Sequence, residues 1–179
     1  MEQSILNQIY LNLPKYKELI NYDNLISRLS QQNELITLIN EFNLNLSDDE
    51  QERIVDILLD KVDEGDYDLL IDAGHKHTWP GTVRMLIKAG YPKNKKALPS
   101  LILLLQDINW PGAIEGMSAL KEADKDVLIP LLEIAIEDAF NSNDYIWLAG
   151  IEDFLSFAQI NKSDFTDEAI YGLLEYAEF

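Results

Sequence analysis

Apolar side chains recur along most of this chain at intervals of three and four residues, which is the spacing of one face of an α-helix. No segment alternates apolar and polar residues between turn dipeptides, as a β-strand with one buried face would. The pattern therefore predicts an all-α fold. In chain order, the predicted helices are 4–11, a helical hairpin within 25–42, a helix that begins after Ser47, and then 66–75, 79–89, 96–107, 110–121, 125–140, 144–159 and 166–177.

Two local signals mark the ends of predicted helices. Ser47, followed three residues later by Glu50, has the pattern of a capping box, in which each side chain accepts a hydrogen bond from the other residue's backbone N–H. Gly90 stands after the apolar run 79–89 and shortly before Pro92, which is typical of a helix end. These two signals predict a helix start at Ser47 and a helix stop at Gly90.

The sequence Trp-Pro-Gly occurs twice, at 79–81 and at 110–112, an offset of 31 residues. The same offset separates two further matched pairs, which are Leu98-Pro99 with Ile129-Pro130 and Asp107 with Asp138. Self-similarity with this period is typical of stacked helical hairpins. We therefore predict one helical-repeat domain over 1–179, with a less regular helical part over 1–66 and the repeat units over 67–179.

Each Trp-Pro-Gly corner is interpreted as a helix start. Thr78 and Asn109 stand at equivalent positions before the two corners, and either side chain can accept a hydrogen bond from a first-turn N–H. Proline is tolerated in a first turn, and the glycine after it indicates that two helices approach each other closely. Trp79 and Trp110 are then predicted to pack between the helices that the corners join.

The second corner carries a resemblance to known proteins. The runs Leu98-Pro99-Ser100-Leu101, Gln106-Asp107-Ile108-Asn109-Trp110-Pro111 and Asn143-Asp144-Tyr145-Ile146-Trp147 resemble an uncharacterised bacterial family of small helical proteins with an Asp-x-Asn-Trp-Pro box. The chain is also similar to short arrays of the HEAT type, in which proline often kinks the first helix. The resemblance covers 91–157 and implies an α–α superhelix of HEAT-like stacked hairpins. It implies no activity.

Charge is the unusual bulk property of the chain. It has 32 acidic and 14 basic residues, a formal net charge of −18. Such a chain repels nucleic-acid phosphates, which argues against DNA or RNA binding, and attracts basic proteins. The alternative is that the acidic residues serve solubility alone. With no apolar run long enough for a membrane span and no signal-peptide pattern at the amino terminus, the expected location is cytoplasmic.

The charge is also unevenly distributed. The basic segment, residues 73–106, contains six basic residues and no acidic one. The first acidic block, residues 48–72, has eleven acids against two bases, and the second acidic block, residues 133–179, has eleven against one. This distribution favours a charged surface for a partner, and its alternative is an ordinary solvated surface.

Motifs for catalysis or metal binding are absent from the sequence. The chain has no cysteine, no Gly-x-Ser-x-Gly elbow and no phosphate-binding glycine loop. The acidic run around Gly65 does not fit a calcium loop, because Val62 and Ile71 occupy positions that need oxygen ligands. His75 and His77 are interpreted as surface loop residues. We therefore predict no catalytic residue, no metal and no cofactor.

The sequence favours a non-catalytic protein-binding module with a basic protein partner. A narrower hypothesis is an immunity-type protein that neutralises a basic toxin. One alternative is an enzyme or small-ligand protein that uses Asp107, Asn109 and Trp110, and another is a self-associating scaffold. The oligomeric state and the identity of the partner stay open. The candidate partner-binding residues are Trp79, Asp107, Asn109, Trp110, Asp144 and Trp147.

Overall fold

The computed structural model describes residues 13–19, 21–42, 46–72 and 75–178. All regular structure in these ranges is helical, so the all-α prediction is confirmed there, while the predicted helix over 4–11 lies outside them. The α-helices are α1 Pro14–Leu19, α2 Tyr22–Leu29, α3 Asn33–Asn40, α4 Asp48–Lys61, α5 Leu69–Asp72, α6 Trp79–Ala89, α7 Leu98–Leu103, α8 Ala113–Lys121, α9 Lys125–Asn141, α10 Tyr145–Ala158 and α11 Glu168–Gly172. Short 3₁₀ turns cover Glu64–Asp66, Lys93–Ala97, Leu104–Gln106, Lys162–Asp164 and Leu173–Tyr176.

Both predicted signals for helix ends are confirmed. The Ser47 hydroxyl accepts the Glu50 N–H at 3.4 Å, and the Glu50 carboxylate accepts the Ser47 N–H at 2.9 Å. The hydrogen bonds from the Ser47 hydroxyl and N–H hold the pKa of Glu50 below its ordinary value. At the other signal, α6 ends at Gly90, which has a φ of +70° and donates its N–H to the Leu86 carbonyl.

Other predicted boundaries are wrong by several residues. Within the predicted helix 66–75, the described residues end a 3₁₀ turn at Asp66 and form the short helix α5, while 73 and 74 lie outside the described ranges. The predicted helix 96–107 is divided among two 3₁₀ turns and α7. The predicted helix 166–177 is α11 followed by a 3₁₀ turn. In each case the hydrophobic period is continuous through the break, so the period does not reveal the change in hydrogen bonding.

The helices form two layers. In the first layer, α4 packs on α6, α6 on α8 and α8 on α10. In the second layer, α5 packs on α7, α7 on α9 and α9 on α11. The buried side chains of both layers form one hydrophobic cluster. Successive elements therefore alternate between the layers, and each packs against the element two positions further along.

α10 comes close to the backbone of the other layer at Gly150. A Cβ at this position would lie 2.0 Å from the Leu105 carbonyl oxygen, so only glycine lets α10 approach that backbone. Nearby, the Trp147 indole N–H donates to the Ile102 carbonyl at 3.2 Å. α10 is therefore positioned against the backbone at the end of α7 and in the 3₁₀ turn that follows it.

The amino-terminal helix α1 packs on α9. The buried Asp138 carboxylate of α9 accepts the Tyr16 N–H at 2.7 Å, and the Tyr16 hydroxyl donates to the Pro99 carbonyl at 2.5 Å. Burial raises the pKa of Asp138, and hydrogen bonds from the backbone of Tyr16 and Lys15 oppose this rise. A carboxylate 122 residues away therefore caps the first turn of α1.

Within the described ranges, no helix is long and apolar enough to cross a membrane.

Candidate functional site

The two Trp-Pro-Gly corners are in contact with each other. The rings of Trp79 and Trp110 lie 5.5 Å apart between centroids, tilted by 50°. The backbone of Trp79 and Pro80 comes so close to Gly112 that a Cβ there would lie 3.3 Å from it. The predicted close approach is therefore present, and the starts of α6 and α8 lie side by side.

Neither corner is capped as the sequence predicts. The Thr78 hydroxyl accepts the His75 N–H at 3.0 Å and donates to the His75 carbonyl at 2.9 Å, so it makes no cap bond to α6. Asp107 accepts both the backbone N–H and the side-chain amide N–H of Asn109, at 2.9 and 3.0 Å. The predicted capping role of Thr78 and Asn109 is wrong, because both residues are engaged in the preceding turn.

The turn at Asp107 also delays the next helix. Gly112 has a φ of +87°, a left-handed conformation that favours glycine, and α8 begins after it at Ala113. The predicted helix 110–121 therefore starts three residues too early. Trp110 and Pro111 belong to a turn, whereas Trp79 and Pro80 form the first turn of α6.

Three of the six candidate residues are engaged in the fold. Trp79 and Trp147 are fully buried, and each indole N–H donates to a backbone carbonyl, that of Ile71 at 3.1 Å and that of Ile102 at 3.2 Å. Asp144 caps α10 by accepting the Trp147 N–H at 3.1 Å. Desolvation raises the pKa of Asp144, and this hydrogen bond opposes the rise. The two buried indoles present no surface to a partner.

The other three candidates lie together at the surface beside the first corner. Trp110 is partly buried, and the Lys76 ammonium lies 4.1 Å from its ring centroid, a cation–π contact. Asn109 is exposed, and Asp107 is partly buried in its turn. The structure therefore brings Asp107, Asn109 and Trp110 to one small polar–aromatic patch, with Lys76 covering the ring.

The two histidines stack beside this patch. The rings of His75 and His77 lie 5.6 Å apart and within 17° of parallel, and both side chains are exposed. In the described ranges, no three His, Asp or Glu side chains gather as a metal site requires.

The first acidic block and the basic segment pair with each other across α4 and α6. Arg84 pairs with Asp48 at 3.4 Å, and Lys88 pairs with Asp56 at 2.7 Å and with Glu52. Asp56 and Glu52 raise the pKa of Lys88 through these hydrogen bonds. The pairs occur in the same order along both helices, so α4 and α6 run parallel and their opposite charges neutralise each other locally.

A different surface lies on α8 and α10. Ile114 and Ile146, each the second residue of its helix, are 64% and 62% exposed, and Phe157 is 45% exposed. Lys121 lies over the Phe157 ring, 4.7 Å from its centroid, so the carboxyl-terminal ends of the two helices adjoin. We use the name acidic–apolar face for the exposed and partly exposed residues of these two helices and of the position after α8 that the proposal below uses: Ile114, Glu115, Lys121, Glu122, Ile146, Glu152, Asp153 and Phe157.

The acids of this face lack partners. In the described part of the chain, Glu115, Glu122, Glu152 and Asp153 form no ion pair within 4.0 Å, and Lys121 is the single base among them. The sequence pattern does not reveal this face, because the buried apolar stripes dominate both helices. The available signal was an isoleucine at the second position of two helices, outside the apolar stripe of each.

Comparisons with known proteins leave the chain without an assigned relative. No protein-family model matches it, and neither a curated protein nor a solved structure does.

Proposed function

We propose that this protein is a non-catalytic binding module whose acidic–apolar face docks a basic protein. The observation that carries the proposal is the coincidence of three exposed large apolar side chains with four unpaired carboxylates on two neighbouring helices. Apolar side chains exposed together and edged by polar groups are typical of protein interaction surfaces.

The two kinds of side chain have different roles in this proposal. Ile114, Ile146 and Phe157 supply the apolar area that a partner removes from water. The surrounding carboxylates, within a chain of net charge −18, attract a basic surface and speed the encounter. A partner with basic residues around an apolar centre matches both features.

The proposal includes the architecture that presents this face. Two layers of alternating helices support a short α–α superhelix of the HEAT-like kind, with α8 and α10 as neighbouring helices of one layer. In such an array, adjacent helices of one layer offer a continuous surface to a partner.

An immunity-type protein that neutralises a basic toxin is the narrower form of the same proposal. It rests on the strong negative charge, because neutralisation of a toxin benefits from fast, electrostatically steered association. Its specific expectation is an association rate that falls steeply with ionic strength.

The proposal is tested with two matched sets of variants. The first carries Ile114→Ser, Ile146→Ser and Phe157→Ser, and the control carries Ile57→Ser and Ile87→Ser, whose side chains are 41% and 40% exposed on the charge-paired helices α4 and α6. All are used to capture proteins from extracts of the native host at low and high salt. We expect a basic partner that the wild type and the control retain, that the first set loses, and that high salt releases.

Two results contradict the proposal. One is a partner that the first set retains as well as the control does, and the other is a partner that is neutral or acidic. Sizing of the purified protein separates the scaffold alternative, because a concentration-dependent dimer that the first set abolishes identifies a second copy as the occupant.

A further inference from the structure

A groove of about 520 Å³ opens between the amino-terminal segment and the second layer. Its volume lies within the range of small-molecule sites. One wall is formed by residues of α1, α2 and the turn between them, and the other by α7, α9 and the turn Lys93–Ala97. Its lining includes Leu19, Asn24, Arg28, Lys95, Val127 and Leu131.

The described charged groups of the groove sum to a positive charge, opposite in sign to that of the chain. Arg28, Lys95 and Lys96 line it, and Asp68 is the single acid among the described lining residues. Arg28 donates to both carboxylate oxygens of Asp68, at 2.7 and 2.9 Å, and also binds Asp66, so these three side chains together carry one negative charge. Lys95 and Lys96 outweigh it, which leaves a net charge of +1 in a protein with 32 acids and 14 bases.

Two of the three bases are held in place by the protein. Arg28 also donates to the Asp66 carboxylate at 2.5 Å and to the Gly65 carbonyl at 2.8 Å. The Lys96 ammonium donates to the same Gly65 carbonyl at 3.0 Å, a neutral acceptor that leaves its charge uncompensated. Both cations are therefore positioned before any ligand arrives, which lowers the entropy cost of binding.

Lys95 differs from its neighbours in the basic segment. Lys93 pairs with Glu64, Lys88 with Asp56 and Arg84 with Asp48, while Lys76 lies over an aromatic ring. Lys95 is exposed, and no ion pair joins it to any carboxylate whose side chain the structure describes, although acids outnumber bases by more than two to one. Its ammonium is therefore accessible to an anion from solution.

The remainder of the groove is partly apolar. Leu19, Pro99, Val127 and Leu131 contribute to its walls, and α9 supplies the last two. An apolar wall next to a group of cations fits a molecule with one charged end and one hydrocarbon end.

We propose that the groove binds a small organic anion, with its carboxylate or phosphate head at Lys95 and Lys96 and its apolar tail against Leu19, Val127 and Leu131. The side-chain amides of Asn21 and Asn24, which also line the groove, supply further donors to the head. The site is separate from the acidic–apolar face, since it is built on the second layer and the amino-terminal segment. The proposal therefore stands or falls independently of the proposed partner.

Isothermal titration of the full chain with four probes tests the site. Octanoate and octyl phosphate carry both an anionic head and a tail, acetate carries the head alone, and octylammonium carries the tail with the opposite charge. We expect octanoate or octyl phosphate to bind, the tighter of the two to identify the head group, and acetate and octylammonium to bind at least about tenfold more weakly.

Matched lysine variants locate the binding. Lys95→Glu is expected to weaken the tighter probe by at least about tenfold, because it replaces attraction with repulsion at the head. Lys93→Glu is the control, since it makes the same charge change in the same turn but outside the groove lining. Leu131→Ser is expected to weaken the octyl probes and leave acetate unchanged. Circular dichroism verifies that each variant is folded.

Three results overturn the proposal. They are equal affinity for octanoate and octylammonium, equal loss of affinity in Lys95→Glu and Lys93→Glu, and no measurable binding of either anionic octyl probe at millimolar concentration. The first indicates a purely apolar site, and the second indicates a general effect of net charge.

Discussion

The helix pairs α4–α6 and α8–α10 belong to the same layer but handle charge in opposite ways. On α4 and α6, Asp48, Glu52 and Asp56 each have a basic partner across the helix pair. On α8 and α10, Glu115 and Asp153 have none in the described ranges, and Ile114 and Ile146 are 64% and 62% exposed, against 41% and 40% for Ile57 and Ile87 on α4 and α6. Three acids of α4 are therefore paired with α6, whereas the acids of α8 and α10 leave room for the proposed basic partner.

This difference shows why net charge alone is a poor guide to a binding surface. Acidic residues are abundant in both regions, and the sequence marks 48–72 as one of the most negative blocks. Four of the eleven acids of that block pair with the basic segment, and two more pair with Arg28. The acids that we propose for partner binding lie on two helices with a single base, Lys121, which contacts an aromatic ring and not a carboxylate.

The largest expected effect comes from replacing the glycine at which α10 approaches the Leu105 backbone. Gly150→Ala places a Cβ 2.0 Å from the Leu105 carbonyl, and α10 must move to accommodate it. We expect the free energy of unfolding to fall by about 3 kcal/mol, measured by urea denaturation. Gly172→Ala is the control, because a Cβ there meets nothing within 4 Å and its effect should be small. Equal stability of the two variants would contradict the close approach of α10 to Leu105.

The loss of stability on replacing a tryptophan is expected to increase with the burial of its side chain. Trp147→Phe leaves the Ile102 carbonyl without its donor in the core and is expected to cost about 2 kcal/mol. Trp110→Phe changes a partly buried ring that mainly contacts Trp79 and Lys76, and is expected to cost less than about 1 kcal/mol. Thermal and urea unfolding measure both, and the reverse order would place Trp110 in the core instead.

Two capping carboxylates are expected to contribute to stability with opposite dependence on pH. Burial raises the pKa of Asp144, so its contribution to stability is present below the unfolded pKa of about 3.9 and is lost as pH rises through the folded pKa. Asp144→Asn keeps an acceptor for the Trp147 N–H without the desolvated charge. We expect a higher thermal midpoint than wild type at pH 7 and a difference that disappears below about pH 3.9.

Asp164 is the matched case of opposite sign. The Asn161 N–H and then Lys125 hold the pKa of Asp164 below its ordinary value, so its contribution is present above the unfolded pKa and is lost as pH falls through the folded pKa. Asp164→Asn should therefore lower the midpoint at pH 7, and less so in acid. Thermal midpoints that change in the same direction at pH 7 in Asp144→Asn and Asp164→Asn would contradict the opposite directions of the two pKa shifts.

The smallest effects are expected from the surface charges. Lys88→Gln leaves Glu52 and Asp56 facing α6 without a cation, so the midpoint should fall slightly at low salt. Asp153→Asn removes an unpaired acid and should leave the midpoint unchanged or slightly raised. Salt titration during thermal unfolding checks both, since screening should shrink each difference. A loss of stability in Asp153→Asn as large as that in Lys88→Gln would erase the distinction between the two helix pairs.

Helix ends were predictable where residues close together in the sequence determine them. The capping box at Ser47 and the positive φ at Gly90 depend on neighbouring residues, and both are confirmed. The second Trp-Pro-Gly corner was mispredicted because the side chain of Asp107, not the tripeptide, sets the turn there. Identical tripeptides therefore begin a helix directly at Trp79 and only after a further turn at Trp110.

The surfaces were less predictable because they depend on distant residues. The neutralisation of the first acidic block requires α4 to lie parallel to α6, which brings together residues 32 to 36 positions apart. The groove requires α1 to reach α9, an arrangement that a single buried carboxylate, Asp138, helps to specify. The partner and the ligand stay predictions, with no relative to supply either.

The bond from Asp138 to the backbone of α1 has a consequence for how the molecule comes apart. In linear arrays each unit touches only its neighbours, so an end unit can detach while the rest persists. Here the earliest described helix, α1, is hydrogen-bonded to the Asp138 carboxylate of α9 and, through the Tyr16 hydroxyl, to the Pro99 carbonyl in the first turn of α7. Loss of α1 would expose α7 and α9 in the middle of the array. Unfolding that begins at the amino-terminal end therefore also destabilises the interior. Cutting the chain between α3 and α4 should lower the stability of the whole fold, and not only remove one unit from it.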